Sequence, residues 1–213
     1  MTMMYTRARC GLAAALLLLL LLAAQAVRAQ DTGSASETVR RAIHVCAACH
    51  GENGRSKEPV YPSLAGQSAQ YLQQQLKDFR GQTRSEANLT AYMWGVSALL
   101  DDATIAGLAD YYAAQPPAPG VPGDPQRVRA GAKIFMTGAV ERGVLPCAGC
   151  HGADAEGKAG FPRLAGQHAP YLVAQLKLFR NTPLRRHGAL MKNEAKPLGE
   201  AEIRAVAEYL QSR

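Results

Sequence analysis

The longest unbroken apolar run of this chain extends from Leu12 to Ala24, and beyond it apolar residues recur mainly in spaced patterns. Tyr71, Leu72, Gln75, Leu76 and Phe79 follow the i, i+1, i+4, i+5, i+8 spacing that lines one face of an α-helix, and Tyr171, Leu172, Gln175, Leu176 and Phe179 repeat it. Ile105, Leu108 and Tyr112 share a helical face behind Asp101 and Asp102, either of which can cap the helix start; Ile203, Val206 and Leu210 do the same behind Gly199, which has no side chain to cap with. Asp124-Pro125 reads as a cap and first-turn proline ahead of Val128, Ala132 and Phe135. No stretch alternates with the period of two that marks a strand. The pattern predicts an all-α protein.

These helices are written twice. The segment PSLAGQSAQYLQQQLKDFR from Pro62 matches PRLAGQHAPYLVAQLKLFR from Pro162 at an offset of 100. Cys46 matches Cys147 at 101, and TIAGLADYY from Thr104 matches EIRAVAEYL from Glu202 at 98. A period near 100 is domain-sized, far above the roughly 20 to 50 residues of repeat arrays, and so indicates a tandem domain duplication. Between the copies lies QPPAPGVPGDPQ, too rich in Pro and Gly for a helix or strand interior. The expected organisation is a leader at residues 1–29, one domain at 30–114, a linker at 115–126 and a second domain at 127–213. Each domain is small enough that a large apolar group at its centre would help it fold.

The leader follows from Arg7 and Arg9 ahead of the apolar run and Val27-Arg28-Ala29 after it, the order of a cleaved export sequence. The run falls short of the roughly 20 residues of a comfortable bilayer span, and nothing else in the chain approaches that length. The expected location is the periplasm, with peripheral membrane association if the leader is retained. The formal charge of +7 includes three leader arginines, so the mature chain stands near +4. Residues 30–118 carry seven basic and nine acidic side chains, whereas 119–213 carry fourteen and eight, an asymmetry that can orient a diffusing partner. No basic run is interleaved with aromatics, which argues against nucleic acid.

Cys10 precedes the apolar run and leaves with the leader. The other four cysteines form CAACH at 46–50 and CAGCH at 147–151. Cys-x-x-Cys-His is the attachment sequence of c-type haem: two thiols three positions apart can form thioethers with the two vinyl groups of one porphyrin, and the next residue then lies under the ring. A zinc ribbon would place its cysteine pairs about 15 to 20 residues apart rather than about a hundred. A thioredoxin-like redox pair would need a strand-helix-strand context. Disulfides would be at home in an exported protein but would not require His50 and His151 at matching places. Haem attachment uses every element.

An iron used for fast electron transfer is best closed by a second ligand. Met93 lies 43 residues after His50 and seven before Leu100; Met191 lies 40 after His151 and seven before Leu198. A methionine in a helical protein commonly fills core space, but this duplicate placement favours ligation. The rivals are His44, too close to its own attachment loop; His168, replaced by Ser68 in the first copy; and His187, four residues before Met191 and the competitor for the second iron. Met93 and Met191 are the expected sixth ligands, because methionine with histidine is the usual cytochrome c pairing.

With CAACHGENG, the twofold Pro-x-Leu-Ala-Gly-Gln and ERGVLPCAGCHG in place, the chain resembles the cytochrome c4 family over nearly all of its mature length. That resemblance implies two class I cytochrome c domains, each wrapped around one covalently bound haem c, with the haems close enough to exchange electrons. It also implies that the carbonyls of Pro62 and Pro162 accept a hydrogen bond from the proximal histidine of the same domain and tune its basicity. The chain departs from the family around Met191, where MKNEAKPLGE is polar instead of apolar. Trp94, directly after Met93, can pack near the first haem or in the core.

The expected function is an electron carrier with no catalytic residues and no small-molecule substrate. It would take electrons from a quinol-oxidising complex and pass them to a terminal oxidase or reductase. The alternative is a haem subunit of a larger dehydrogenase of the flavocytochrome or alcohol dehydrogenase type. A dihaem peroxidase is disfavoured, because it needs one iron with an open or displaceable ligand.

Overall fold

A computed structural model of the chain describes residues 37–85, 90–182 and 185–213; the leader expected at 1–29, Cys10 included, lies outside them. Residues 42–213 form one compact unit. The described helices are α1 (37–50), α2 (Ala69–Arg80), α3 (Thr90–Ala98), α4 (Asp102–Ala113), α5 (Pro125–Thr137), α6 (Ala148–His151), α7 (Ala169–Asn181), α8 (Ala189–Ala195) and α9 (Glu200–Gln211). Short 3-10 turns cover Glu52–Gly54, Val140–Arg142 and Arg186–Gly188. Among the described residues β-pairing is confined to isolated bridges, one of which joins Arg84 to Arg185 across the two copies. No helix among them is long and apolar enough to cross a membrane.

Local chemistry fixes the helix starts. The Asp124 carboxylate accepts the N–H groups of Gln126 and Arg127, and Asp101 accepts that of Thr104 at 2.7 Å. Helix α9 begins at Gly199 without a capping side chain, and there the Glu202 carboxylate reaches back to the Gly199 N–H at 2.9 Å while pairing with Arg142. The helix start that looked weak in sequence is therefore held by a residue one turn inside the helix, the carboxylate half of a capping box.

The two copies pack alike. In the second, α5 crosses α9, which also meets α7, and α7 meets α8. Phe135 is fully buried there, its ring centroid 5.4 Å from that of Tyr209, with Leu172, Val206 and Leu210 around it. In the first, α2 packs against α3 and α4, burying Leu72, Phe79, Ile105, Leu108 and Tyr112. Each predicted helical face is thus a packed face. Polar contacts join the copies: the Ser68 hydroxyl donates to Ala159 O (2.9 Å), and the Arg84 guanidinium donates to Gln175 Oε1 (3.1 Å).

Candidate functional site

Each attachment motif closes a helix. Cys46, Cys49 and His50 stand in the last turns of α1; Cys147 is the residue before α6, which ends at His151. The next residue in each copy is a glycine at positive φ, Gly51 at +77° and Gly152 at +84°. The chain reverses there so sharply that a Cβ on Gly51 would stand 2.1 Å from Arg55 O, so only glycine fits. The returning loop is pinned in both copies by one carbonyl: Gly54 O accepts from Leu64 N (2.7 Å) and Ala65 N (3.1 Å), and Ala155 O from Leu164 N (2.8 Å) and Ala165 N (3.0 Å).

This pinning presents a proline carbonyl to each histidine. His50 Nδ1 donates to Pro62 O at 2.8 Å, and His151 Nδ1 to Pro162 O at 2.9 Å. An N–H at Nδ1 leaves the Nε2 lone pair as the donor toward a metal. Both imidazoles are buried, at 8 % and 5 % exposure. Burial pulls both ring pKa values below the ordinary histidine range, partly offset by the proline carbonyls, and so favours the neutral, ligating form. An aromatic edge seats each ring: Tyr61 lies 6.2 Å from His50 and Phe161 lies 6.0 Å from His151, both T-shaped. The sequence signal of these two residues is a matched aromatic directly ahead of each motif proline.

The thiols fit a porphyrin better than a bare metal ion. Cys46 and Cys147 are half-buried, and burial raises the Cys46 thiol above its ordinary pKa and pushes Cys147 up to about 11. Such surroundings suit an uncharged thioether sulfur better than a thiolate. Cys49 and Cys150 are exposed. Among the described residues no three His, Cys, Asp or Glu side chains converge as metal donors, and none of the four motif cysteines is in a disulfide. Each copy presents one fixed imidazole and two thiols, the groups that haem c uses for ligation and attachment.

Met93 sits half-buried on α3 and Met191 half-buried on α8, the short helices that precede α4 and α9. Trp94 donates from Nε1 to Arg84 O at 2.8 Å, tying α3 to the turn after α2. Of the rival histidines, His44 is exposed on α1, His168 Nε2 lies 3.0 Å from Ser56 O, and His187 Nδ1 lies 3.0 Å from both carboxylate oxygens of Asp78. The polar stretch around Met191 is partly accounted for, since the Glu194 carboxylate accepts the Leu145 N–H at 2.7 Å beside the second motif.

Comparison with known proteins agrees with this geometry. The family described as Cytochrome c matches residues 40–113 and again 128–213. A cytochrome c4 of Thiocapsa roseopersicina is 41 % identical over 176 residues, covering 80 % of this chain and 88 % of the relative. A "Thiosulfate dehydrogenase electron acceptor" of Stutzerimonas stutzeri (strain A1501) is 36 % identical over 205 residues, covering 93 % of this chain and 91 % of the relative. The solved cytochrome c4 of Acidithiobacillus ferrooxidans, described as supporting a complex-induced tuning of electron transfer, superposes with a TM-score of 0.74 at 39 % identity, covering 79 % of this chain and 98 % of that one.

Proposed function

Since the chain belongs to the cytochrome c family, as a two-domain cytochrome c4 that carries two haem c groups and transfers electrons without being an enzyme, we propose that it works in the periplasm, between a quinol-oxidising respiratory complex and a terminal oxidase or reductase. Its domains on this reading are 30–114 and 127–213, joined by 115–126 after a cleaved leader at 1–29. Each haem supplies a one-electron couple. Cys46 and Cys49 hold the first by thioether bonds and Cys147 and Cys150 the second. His50 with Met93, and His151 with Met191, ligate the two irons. The prolines at 62 and 162 keep each histidine in one tautomer and one orientation, so that little rearranges on a change of oxidation state.

The observation that carries this reading is the duplicated pair of a buried histidine and a proline carbonyl, at 2.8 and 2.9 Å. The test is carbon monoxide added to the reduced, natively matured protein. Neither haem spectrum should shift in the wild type. Met93→Ala or Met191→Ala should each open one iron, so that about half of the haem absorbance shifts. Ready binding by the unmodified protein would overturn the closed-ligand assignment.

A second reading, an electron-accepting subunit of a dehydrogenase, is favoured by the likeness to the thiosulfate dehydrogenase electron acceptor over 93 % of the chain. The two readings separate on gentle purification from native membranes and soluble extract. Elution as a free monomer supports the diffusing carrier, and stable elution with a dehydrogenase supports the subunit.

A further inference from the structure

We propose that Gln67 and Gln167 each set the reduction potential of the haem in the opposite domain, by hydrogen bonding the very peptide group whose carbonyl holds that haem's histidine. The proposal rests on the assignment of His50 and His151 as iron ligands.

The geometry is reciprocal. The peptide between Pro62 and Ser63 receives His50 Nδ1–H on its carbonyl, and its N–H donates to Gln167 Oε1 at 2.9 Å. Gln167 completes the pair by donating from Nε2 to Ser63 O at 3.0 Å. In the other domain the peptide between Pro162 and Arg163 receives His151 Nδ1–H, and its N–H donates to Gln67 Oε1 at 2.7 Å, while Gln67 Nε2 donates to Arg163 O at 2.9 Å. Each carboxamide is also held by the backbone N–H that follows it, Ser68 to Gln67 at 3.0 Å and His168 to Gln167 at 3.1 Å. Both glutamines are buried, at 7 % and 6 % exposure. Their orientation is therefore fixed, with each side-chain oxygen on N–H donors and each side-chain nitrogen on a carbonyl.

A peptide is one conjugated unit. An acceptor on its N–H moves electron density onto its carbonyl oxygen, and hydrogen bonds in series strengthen one another by about 10–30 % in a low-dielectric interior. A more negative proline oxygen pulls harder on the histidine Nδ1–H. That makes Nε2 a stronger donor to iron and favours the ferric state. Gln167 therefore lowers the potential on the His50 side, and Gln67 that on the His151 side. Two domains could be glued through any polar pair, but here both glutamines meet the one peptide in each domain that already carries the ligand.

The test replaces each glutamine by methionine, similar in length but without the acceptor, in the full dihaem protein. The potentials are resolved haem by haem from the proton NMR signals of the haem methyl groups during a redox titration. Gln167→Met should raise the potential of the first haem, changing its ferric-to-ferrous ratio by about two- to fourfold, or about 18–36 mV at 59 mV per tenfold for one electron. The second haem should move less. Gln67→Met should give the mirror image. Equal shifts of both haems in both variants, or a larger shift in the variant's own domain, would mean that the glutamines only dock the domains, and the proposal would fall. Gln167→Glu and Gln67→Glu keep an acceptor for the N–H and should leave the opposite haem at or below its original potential; an upward shift like that of methionine would also overturn it. Should the methionine variants not mature, the glutamate pair decides alone: a rise in the potential of the opposite haem overturns the proposal, and an unchanged or lower one upholds it. The ligand assignment is read separately on the reduced wild type: a His50 or His151 ring lacking the large upfield shift of a haem-bound imidazole would sink that assignment without bearing on the glutamines.

Discussion

Cys147→Ala combined with Cys150→Ala is expected to halve the haem content of the mature protein and to unfold its second domain. Intact mass should fall by one haem, and the haem absorbance per chain should fall by about half, because the first motif is attached independently. Unfolding follows from the packing. Cys147 and Ala148 lie against the cluster built on Phe135, Leu172, Val206 and Leu210, and His151 is buried at 5 % exposure. A domain of this size has a total stability of about 5–15 kcal/mol, and anything that binds only the folded state contributes directly to it. Losing the attached haem would leave that buried imidazole with its proline carbonyl but without the group it is oriented toward. Circular dichroism should show a reduced helical signal, with one remaining thermal transition near the native temperature from the first domain. A variant that retained both haems covalently would refute the thioether assignment at this motif.

The second large effect needs no cofactor. Gly131→Val should break the crossing of α5 over α9, because even the first side-chain carbon at this position would stand 2.0 Å from Ala205 O and 2.9 Å from the Tyr209 Cβ. The obstacle is the backbone of α9, which cannot rotate away as a side chain can. Overpacking a core typically costs about 1–3 kcal/mol, and this site should lie at or above the upper end. At about 4–8 °C per kcal/mol for a domain of 60–100 residues, the melting temperature of the second domain should drop by about 12 °C or more. Since α9 also packs on α7, which follows the loop carrying Pro162, the same variant should loosen the seat of His151 and broaden the optical spectrum of the second haem. An unchanged melting curve would mean that the helices cross elsewhere.

Much of this architecture was legible because it depends on neighbours in sequence. Asp124-Pro125 caps α5 where the residue types demand it, and the faces of Ile105, Leu108 and Tyr112 and of Ile203, Val206 and Leu210 are buried. The attachment motifs were legible for the same reason, since two thiols and an imidazole within five residues state their chemistry locally. What escaped is what depends on distant partners. Helix α3, TAYMWGVSA, is apolar without a helical period, leaving Tyr92 and Val96 exposed, so no single face announced it. Tyr61 and Phe161 gained a role only when the loop folded them against an imidazole. Gln67 and Gln167 stood out as part of a repeated motif, but their partners lie 96 and 104 residues away. His187 has a buried carboxylate partner, Asp78, that lies in the other copy and that no local spacing announces.

The exchanged glutamine contacts are the same bond made twice, from copy one to copy two and back, which is the signature of a self-complementary interface. Had the copies been separate chains, such a pairing would depend on how concentrated they were. The stretch from 114 to 124 between α4 and α5 removes that dependence, since a short tether holds the second face at an effective concentration in the millimolar range whatever the dilution. Dilution therefore cannot part the two halves, and polar contacts such as these can hold faces that a free dimer would have needed a broad apolar surface to join.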